Sequence, residues 1–174
     1  MKISDIITDE RLSESGWKKA VAAGVVGATL AGPMAHADEN NGVSNKELWR
    51  RACMLVKENG FGSCKHVPMP DIVYAREITN KGFRAFFDGD HTIYVKLDQT
   101  GDIHDALVVH EMTHYILDYT GVLPLPGSEK DACQSEKDAF KVKGDYFAGL
   151  GYKIPDSVIQ WKKQYPECNK YKLK

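Results

Sequence analysis

Apolar residues recur at helical spacing in two long stretches of the chain. The first begins at Ser44, a helix-capping residue type with Glu47 three residues later in a capping-box pattern, and it ends at Gly60. The second begins at Asp102, also a capping type, and ends at Gly121. The residues that share one face are Leu48, Ala52, Leu55 and Val56 in the first stretch, and Ala106, Val109, Thr113 and Ile116 or Leu117 in the second. Both stretches are predicted to be helices, and the second is expected in the core.

Two further helices are predicted in the C-terminal half. One covers about residues 129–150 and follows a connection, residues 122–131, in which two prolines and a glycine reverse the chain. The other is a short helix within residues 156–174, whose tail contains Cys168.

Three short β-type runs lie between the two long helical stretches. They are Ile72–Ala75, Phe83–Phe87 and Thr92–Leu97. The last two are joined by residues 88–90, Asp-Gly-Asp, a strong hairpin signal. The pattern predicts a small antiparallel sheet and, with the helices, an α+β fold.

The N-terminal segment has the pattern of a signal peptide. Residues 20–32 form an uncharged apolar run that follows two lysines and precedes small residues at Ala35 and Ala37. This predicts cleavage between Ala37 and Asp38, a mature domain over residues 38–174, and a periplasmic or secreted protein. The run is too short to span a bilayer comfortably, so no stable membrane span is expected in the mature chain. The alternative is an Ala/Gly-rich segment that stays attached.

Length and charge limit the remaining possibilities. A chain of 174 residues with 43% hydrophobic residues is enough for one domain with a real core. Its 23 basic and 24 acidic side chains give a net charge of -1, so no bulk field attracts polyanions. We therefore expect no nucleic-acid partner.

The four cysteines, Cys53, Cys64, Cys133 and Cys168, all follow the predicted cleavage site. An even number in an exported chain favours disulfides. Three pairings are possible, of which Cys53 with Cys64 and Cys133 with Cys168 is the most local. A cysteine-type zinc site is the rival use, but the chain has no C-x-x-C pair.

The strongest chemical signal is His110-Glu111-Met112-Thr113-His114, an H-E-x-x-H motif on the second predicted helix. Residues four apart lie one turn apart on the same face, so both imidazoles can reach one Zn²⁺ ion. Glu111 is adjacent to the first histidine and can act as the general base. The motif predicts a zinc cofactor held by His110 and His114. Two other histidines, His91 and His104, are expected outside the site.

Catalytic zinc needs a third protein ligand, and no histidine follows the motif. Glu136 lies 22 residues after His114, on the next predicted helix, which fits a ligand; its alternative is an exposed glutamate beside Lys137. Asp118 is four residues after His114 and better suits support of a ligand by hydrogen bonding. The carboxylates available downstream are Asp118, Glu129, Asp131, Glu136 and Asp138.

Residues 108–121, VVHEMTHYILDYTG, resemble the active-site helix of thermolysin-like peptidases and, more broadly, of the gluzincin branch of zincins. The short chain is similar in size to the minimal single-domain gluzincins. The resemblance implies a zincin-like fold in which His110, His114 and Glu136 bind zinc, Glu111 is the base and Asp118 supports a ligand. The sequence departs from the large gluzincins at Phe140, where they carry an aspartate.

The resemblance also implies an exported metallopeptidase with a peptide or protein substrate. Zincins place an edge strand above the metal, a position that falls to Phe83–Phe87 or Thr92–Leu97 here. The alternatives are a zinc hydrolase of a non-peptide amide and a non-catalytic zincin-like binding module. Residues that could stabilise the oxyanion are Arg84, Tyr146, Tyr152 and Tyr165.

Overall fold

A computed structural model describes residues 43–75, 84–97, 101–123, 127–154 and 156–173. The predicted signal peptide, residues 1–37 with cleavage after Ala37, lies outside these ranges, and so does Phe83. The described helices are α1 (Asn45–Glu58), α2 (Gly101–Tyr119), α3 (Glu129–Gly149) and α4 (Ser157–Gln164), with a 3₁₀ helix at Pro166–Lys170. The strands are β1 (Asp71–Ala75), β2 (Ala85–Phe87) and β3 (Thr92–Lys96). The predicted α+β class is confirmed.

Side chains cap the N-terminal ends of α1 and α3, although not entirely in the way the sequence predicts. Ser44 caps α1 by accepting from the Glu47 N–H, but the Glu47 carboxylate binds Arg50 and Arg51 and does not complete a capping box. A full capping box instead begins α3, between Ser128 and Asp131. A capping box therefore forms only where no other side chain, such as an arginine, takes up the carboxylate that would complete it.

The N-terminal end of α2 differs from the prediction by one residue. The helix begins at Gly101, so Asp102 lies in the first turn and accepts a hydrogen bond from the Tyr152 hydroxyl at 2.5 Å. That bond connects α2 to the segment that follows α3.

The three strands form a mixed sheet in the order β1-β3-β2. β2 and β3 are antiparallel, with Ala85 opposite Val95, whereas β1 runs parallel to β3 along all five of its residues. The prediction of a purely antiparallel sheet is wrong for β1. The hairpin turn determines only the pairing of β2 with β3. β1 pairs with β3, which has five residues, rather than with β2, which has only three.

The core surrounds α2, which is buried on more than one face. It packs against α1, α3 and the sheet, so its buried residues lie almost all round the helix rather than along one stripe. The fully buried side chains include Leu48 and Val56 of α1, Ile93 and Val95 of β3, Val108, Val109 and Met112 of α2, and Val142 of α3. A helix held on several sides is a rigid support for the residues it carries.

All four cysteines are paired, in the most local of the three possible connectivities. Cys53 bonds Cys64, and Cys133 bonds Cys168. The second bridge holds the C-terminal segment against α3, where Trp161, Tyr165 and Phe140 form a small buried cluster. Disulfides of this kind are typical of proteins in oxidising compartments. Across the described residues, none of the helices has the length and apolar character needed to cross a membrane.

Candidate metal centre

His110 and His114 of α2 meet Glu136 of α3 where the two helices pack. The Nε2 atoms of the two histidines are 3.1 Å apart. Glu136 Oε2 lies 3.4 Å from His110 Nε2, and Glu136 Oε1 lies 3.6 Å from His114 Nε2. The two imidazoles are 6% and 8% exposed. These three side chains form a group that can hold a metal ion.

The spacing of the three ligands fits a four-coordinate ion. An ion with bonds of about 2.0–2.1 Å in tetrahedral geometry places its ligand atoms about 3.3 Å apart. The two Nε2 atoms are 3.1 Å apart, and each lies 3.4 or 3.6 Å from one of the two Glu136 carboxylate oxygens, so these separations lie on either side of that value. Within the described ranges, the buried Glu136 Oε2 makes no hydrogen bond and has His110 Nε2 at 3.4 Å, so a cation bound between the two side chains would satisfy it.

The charges of the group support the same interpretation. Burial works to raise the pKa of the Glu136 carboxyl, but the neighbouring His114 and His110 outweigh it and hold that pKa well below its usual range. Burial likewise works to lower the pKa of His114, yet the Glu136 carboxylate outweighs it and raises that pKa. The Glu136 carboxylate thus favours positive charge on its histidine neighbours, at the place where a cation would bind.

Ser135 orients His114, a role that sequence reasoning missed. Its Oγ lies 2.7 Å from His114 Nδ1, which leaves Nε2 directed at Glu136. Since Ser135 directly precedes Glu136, α3 supplies both a ligand and the group that supports another ligand. The only signal in the sequence is this adjacency.

Besides Glu136, an aromatic ring holds His110 in place. The Phe140 ring contacts it edge-on at a centroid distance of 5.2 Å. Phe140 is the residue at which the sequence departs from the large gluzincins, and an apolar contact fills that position. Across the described part of the chain, His110 Nδ1 has no hydrogen-bond partner.

The other candidate carboxylates have different positions. Glu129 pairs with Lys170 at 2.8 Å, and Asp131 caps α3, so neither belongs to the group. Asp138 is buried and accepts from Gln134 at 2.8 Å, and burial raises its pKa to about 6. Asp118 is half-buried one turn after His114, and its supporting role stays a prediction.

Glu111, which directly follows His110 on α2, is hydrogen-bonded to the sheet. Its Oε2 accepts a hydrogen bond from the Phe87 backbone N–H at 3.0 Å. Of the two runs expected to offer an edge strand, β3 is paired on both sides and β2 on one side only. Among the described strands, therefore, β2 is the edge next to the motif.

The four proposed oxyanion donors lie in different places. Tyr152 is bonded to Asp102, and the Tyr146 ring lies under Arg51, 5.8 Å from its guanidinium carbon. Tyr165 packs on Phe140 at 5.9 Å, one ring removed from His110. Arg84 immediately precedes β2.

His91 and His104 lie outside the metal group, as expected. His91 Nδ1 is 2.9 Å from the Tyr115 hydroxyl. His104 Nδ1 is 3.1 Å from Asp105, and its ring stacks on Tyr74.

No family model, curated protein or solved structure matches the chain. A functional conclusion therefore depends on the site itself: three converging side chains that could hold a metal ion, and a neighbouring glutamate in the sequence that is bonded to an edge strand.

Proposed function

We propose that this protein is an exported zinc metallopeptidase with a zincin-like fold of the gluzincin type. The observation that carries the proposal is the convergence of His110, His114 and Glu136 next to Glu111. Two imidazoles and one carboxylate are the protein ligands of a well-known class of catalytic zinc site, with one position left for water or substrate. The two disulfides favour an exported location.

His110, His114 and Glu136 would hold the ion. When bound, zinc supplies Lewis-acid chemistry that activates water for attack on a carbonyl. Ser135 orients His114, and Phe140 restricts the His110 ring. Because both imidazoles are nearly inaccessible, the protein excludes bulk water from one side of the ligand group.

Glu111 moves the proton. As general base, its carboxylate accepts a proton from the attacking water, and it then donates that proton to the leaving amine. Its position is suited to this role because it neighbours His110 in sequence and its carboxylate is held by the backbone of β2.

The substrate would be an extended peptide or protein segment. Among the described strands, β2 is paired on one side only, by β3, and its Phe87 N–H is bonded to Glu111. An extended chain can add to such an edge strand through backbone hydrogen bonds. A peptide placed there would pass directly beside the metal ligands.

The decisive experiment compares the purified full chain with its Glu111→Gln variant. The parent should bind one zinc and cleave members of a peptide library, and a chelator should stop cleavage. Glu111→Gln should keep zinc and lose cleavage. Glu129→Gln is the matched control, since Glu129 lies on the surface in an ion pair with Lys170, and it should cleave like the parent.

The outcomes separate the alternatives. Cleavage by Glu111→Gln at the parental rate would contradict the role of the base. Tight zinc binding without cleavage of any peptide would favour a non-catalytic module, and hydrolysis of small amides alone would favour a non-peptide substrate.

A further inference from the structure

The edge of β2 is already partly occupied by the protein itself. In an antiparallel pair, alternate residues direct their backbone groups toward the partner strand. The Arg84 C=O accepts from the Lys96 N–H at 2.8 Å, and the Asp88 N–H donates to the Thr92 C=O at 3.1 Å, so these residues face β3. Phe87, in the opposite phase, directs its N–H away from β3. That N–H is the one bonded to Glu111 Oε2 at 3.0 Å.

Contacts around Phe87 limit where this N–H can lie. The Phe87 ring packs edge-on against Tyr115 of α2, with ring centroids 5.5 Å apart. Tyr115 lies one helical turn after Glu111, and its hydroxyl is 2.9 Å from His91 at the end of the hairpin. Tyr115 is fully buried. The β2–β3 hairpin is thus attached to α2 at two points beside Glu111.

We infer that the Phe87 backbone N–H is a positioning group for Glu111. It holds Oε2 at the edge of β2 and so fixes the orientation of the Glu111 carboxylate, which directly follows His110 in the sequence. The structural link stands on the geometry, and its catalytic meaning rests on the proposed function. The link also limits the register of a docked peptide, because such a peptide can pair with Ala85 and with the Phe87 C=O but not with the Phe87 N–H.

The link can be tested without any enzymatic assay, by amide hydrogen exchange measured with NMR on the ¹⁵N-labelled full chain. The Phe87 amide should exchange slowly in the parent, although it is not paired with β3. In Glu111→Ala its exchange should accelerate at least about tenfold, since a hydrogen bond to a charged group is lost. The Asp88 amide, which is paired with β3, is the internal control and should be unchanged.

The conservative variant separates positioning from general loosening. Glu111→Gln keeps an acceptor oxygen, so the exchange rate of the Phe87 amide should lie between those of the parent and Glu111→Ala. Fast exchange of this amide in the parent, or equal rates in the parent and Glu111→Ala, would overturn the inference.

Kinetics of two Phe87 variants test the catalytic part. Phe87→Ala and Phe87→Pro both remove the ring, but only proline removes the N–H, and this N–H is not used by the β2–β3 ladder. We expect kcat of the proline variant to be at least about tenfold below that of the alanine variant, with KM within about twofold. Equal kcat values would overturn the positioning role. If the exchange results hold and the parent cleaves nothing, the proposed function fails while the Phe87–Glu111 link stands.

Discussion

The Nδ1 atom of His114 lies 2.7 Å from the Oγ of Ser135. With a metal on Nε2, Nδ1 would carry the proton and donate a hydrogen bond to this hydroxyl, which would fix both the tautomer and the ring orientation. Ser135 and Glu136 are consecutive on α3, so one short segment approaches the metal group twice. The packing of α3 on α2 therefore determines the geometry of the site.

Ser135→Ala should weaken zinc binding without unfolding the protein. Loss of a group that orients a ligand histidine commonly costs about 10- to 100-fold in metal affinity. Competition with a chromophoric chelator measures this directly. Ser63→Ala, at an exposed serine that bonds only a nearby backbone N–H, is the control. Equal affinity in Ser135→Ala and the parent would show that the contact does not support His114.

Zinc affinity should fall as the pH is lowered. Burial works to lower the pKa of His114, but the Glu136 carboxylate outweighs it and raises that pKa; zinc binds only the neutral imidazole, so protons compete with zinc for this side chain. Protons compete with zinc more strongly as the pH falls below the raised pKa of His114, so zinc affinity decreases toward low pH. Calorimetry in buffers of different ionisation enthalpy should detect proton release near neutral pH. Affinity independent of pH between about 8 and 6 would contradict the proposed coupling.

Asp138→Asn should stabilise the metal-free protein at neutral pH. Burial raises the pKa of Asp138 to about 6 from an ordinary value of 3.8, so the folded state holds this proton more tightly than the unfolded state. Stability is therefore lost as pH rises from about 4 through about 6, by on the order of 1–3 kcal/mol. Asparagine has no such titration and can still accept from Gln134.

Thermal unfolding of the metal-free protein at pH 7 and pH 4 measures this difference. The asparagine variant should melt several degrees higher than the parent at pH 7 and close to it at pH 4. Asp90→Asn, on the exposed hairpin, should change little at either pH. An equal shift at both pH values would show that titration of Asp138 is not the cause.

Local features of the chain are enough to predict the helices and the two histidine ligands. Helix caps and apolar spacing act within a few residues, and the spacing of His110 and His114 places both on one face of α2 wherever that helix packs. Glu136 is predictable because a short connection brings the next helix back along α2. The disulfides follow from the same short separations.

The remaining features depend on tertiary packing. β1 pairs with β3 because of strand length and position in the sheet, which the hairpin signal does not contain. Ser135 reaches His114 only because of the way α3 is oriented about its own axis against α2. The contact of Phe87 with Glu111 uses a backbone N–H, which every residue except proline has. None of these contacts leaves a recognisable pattern in residue type, so sequence reasoning did not find them.

The central claim is tested most directly by titrating zinc into the metal-free protein while following cleavage of a peptide library. Cleavage should rise in proportion to added zinc and level off at one equivalent, and Glu136→Ala should show no such rise at the same concentrations. A zinc-loaded parent that cleaves no peptide, or a Glu136→Ala variant with the parental titration curve, would contradict this account.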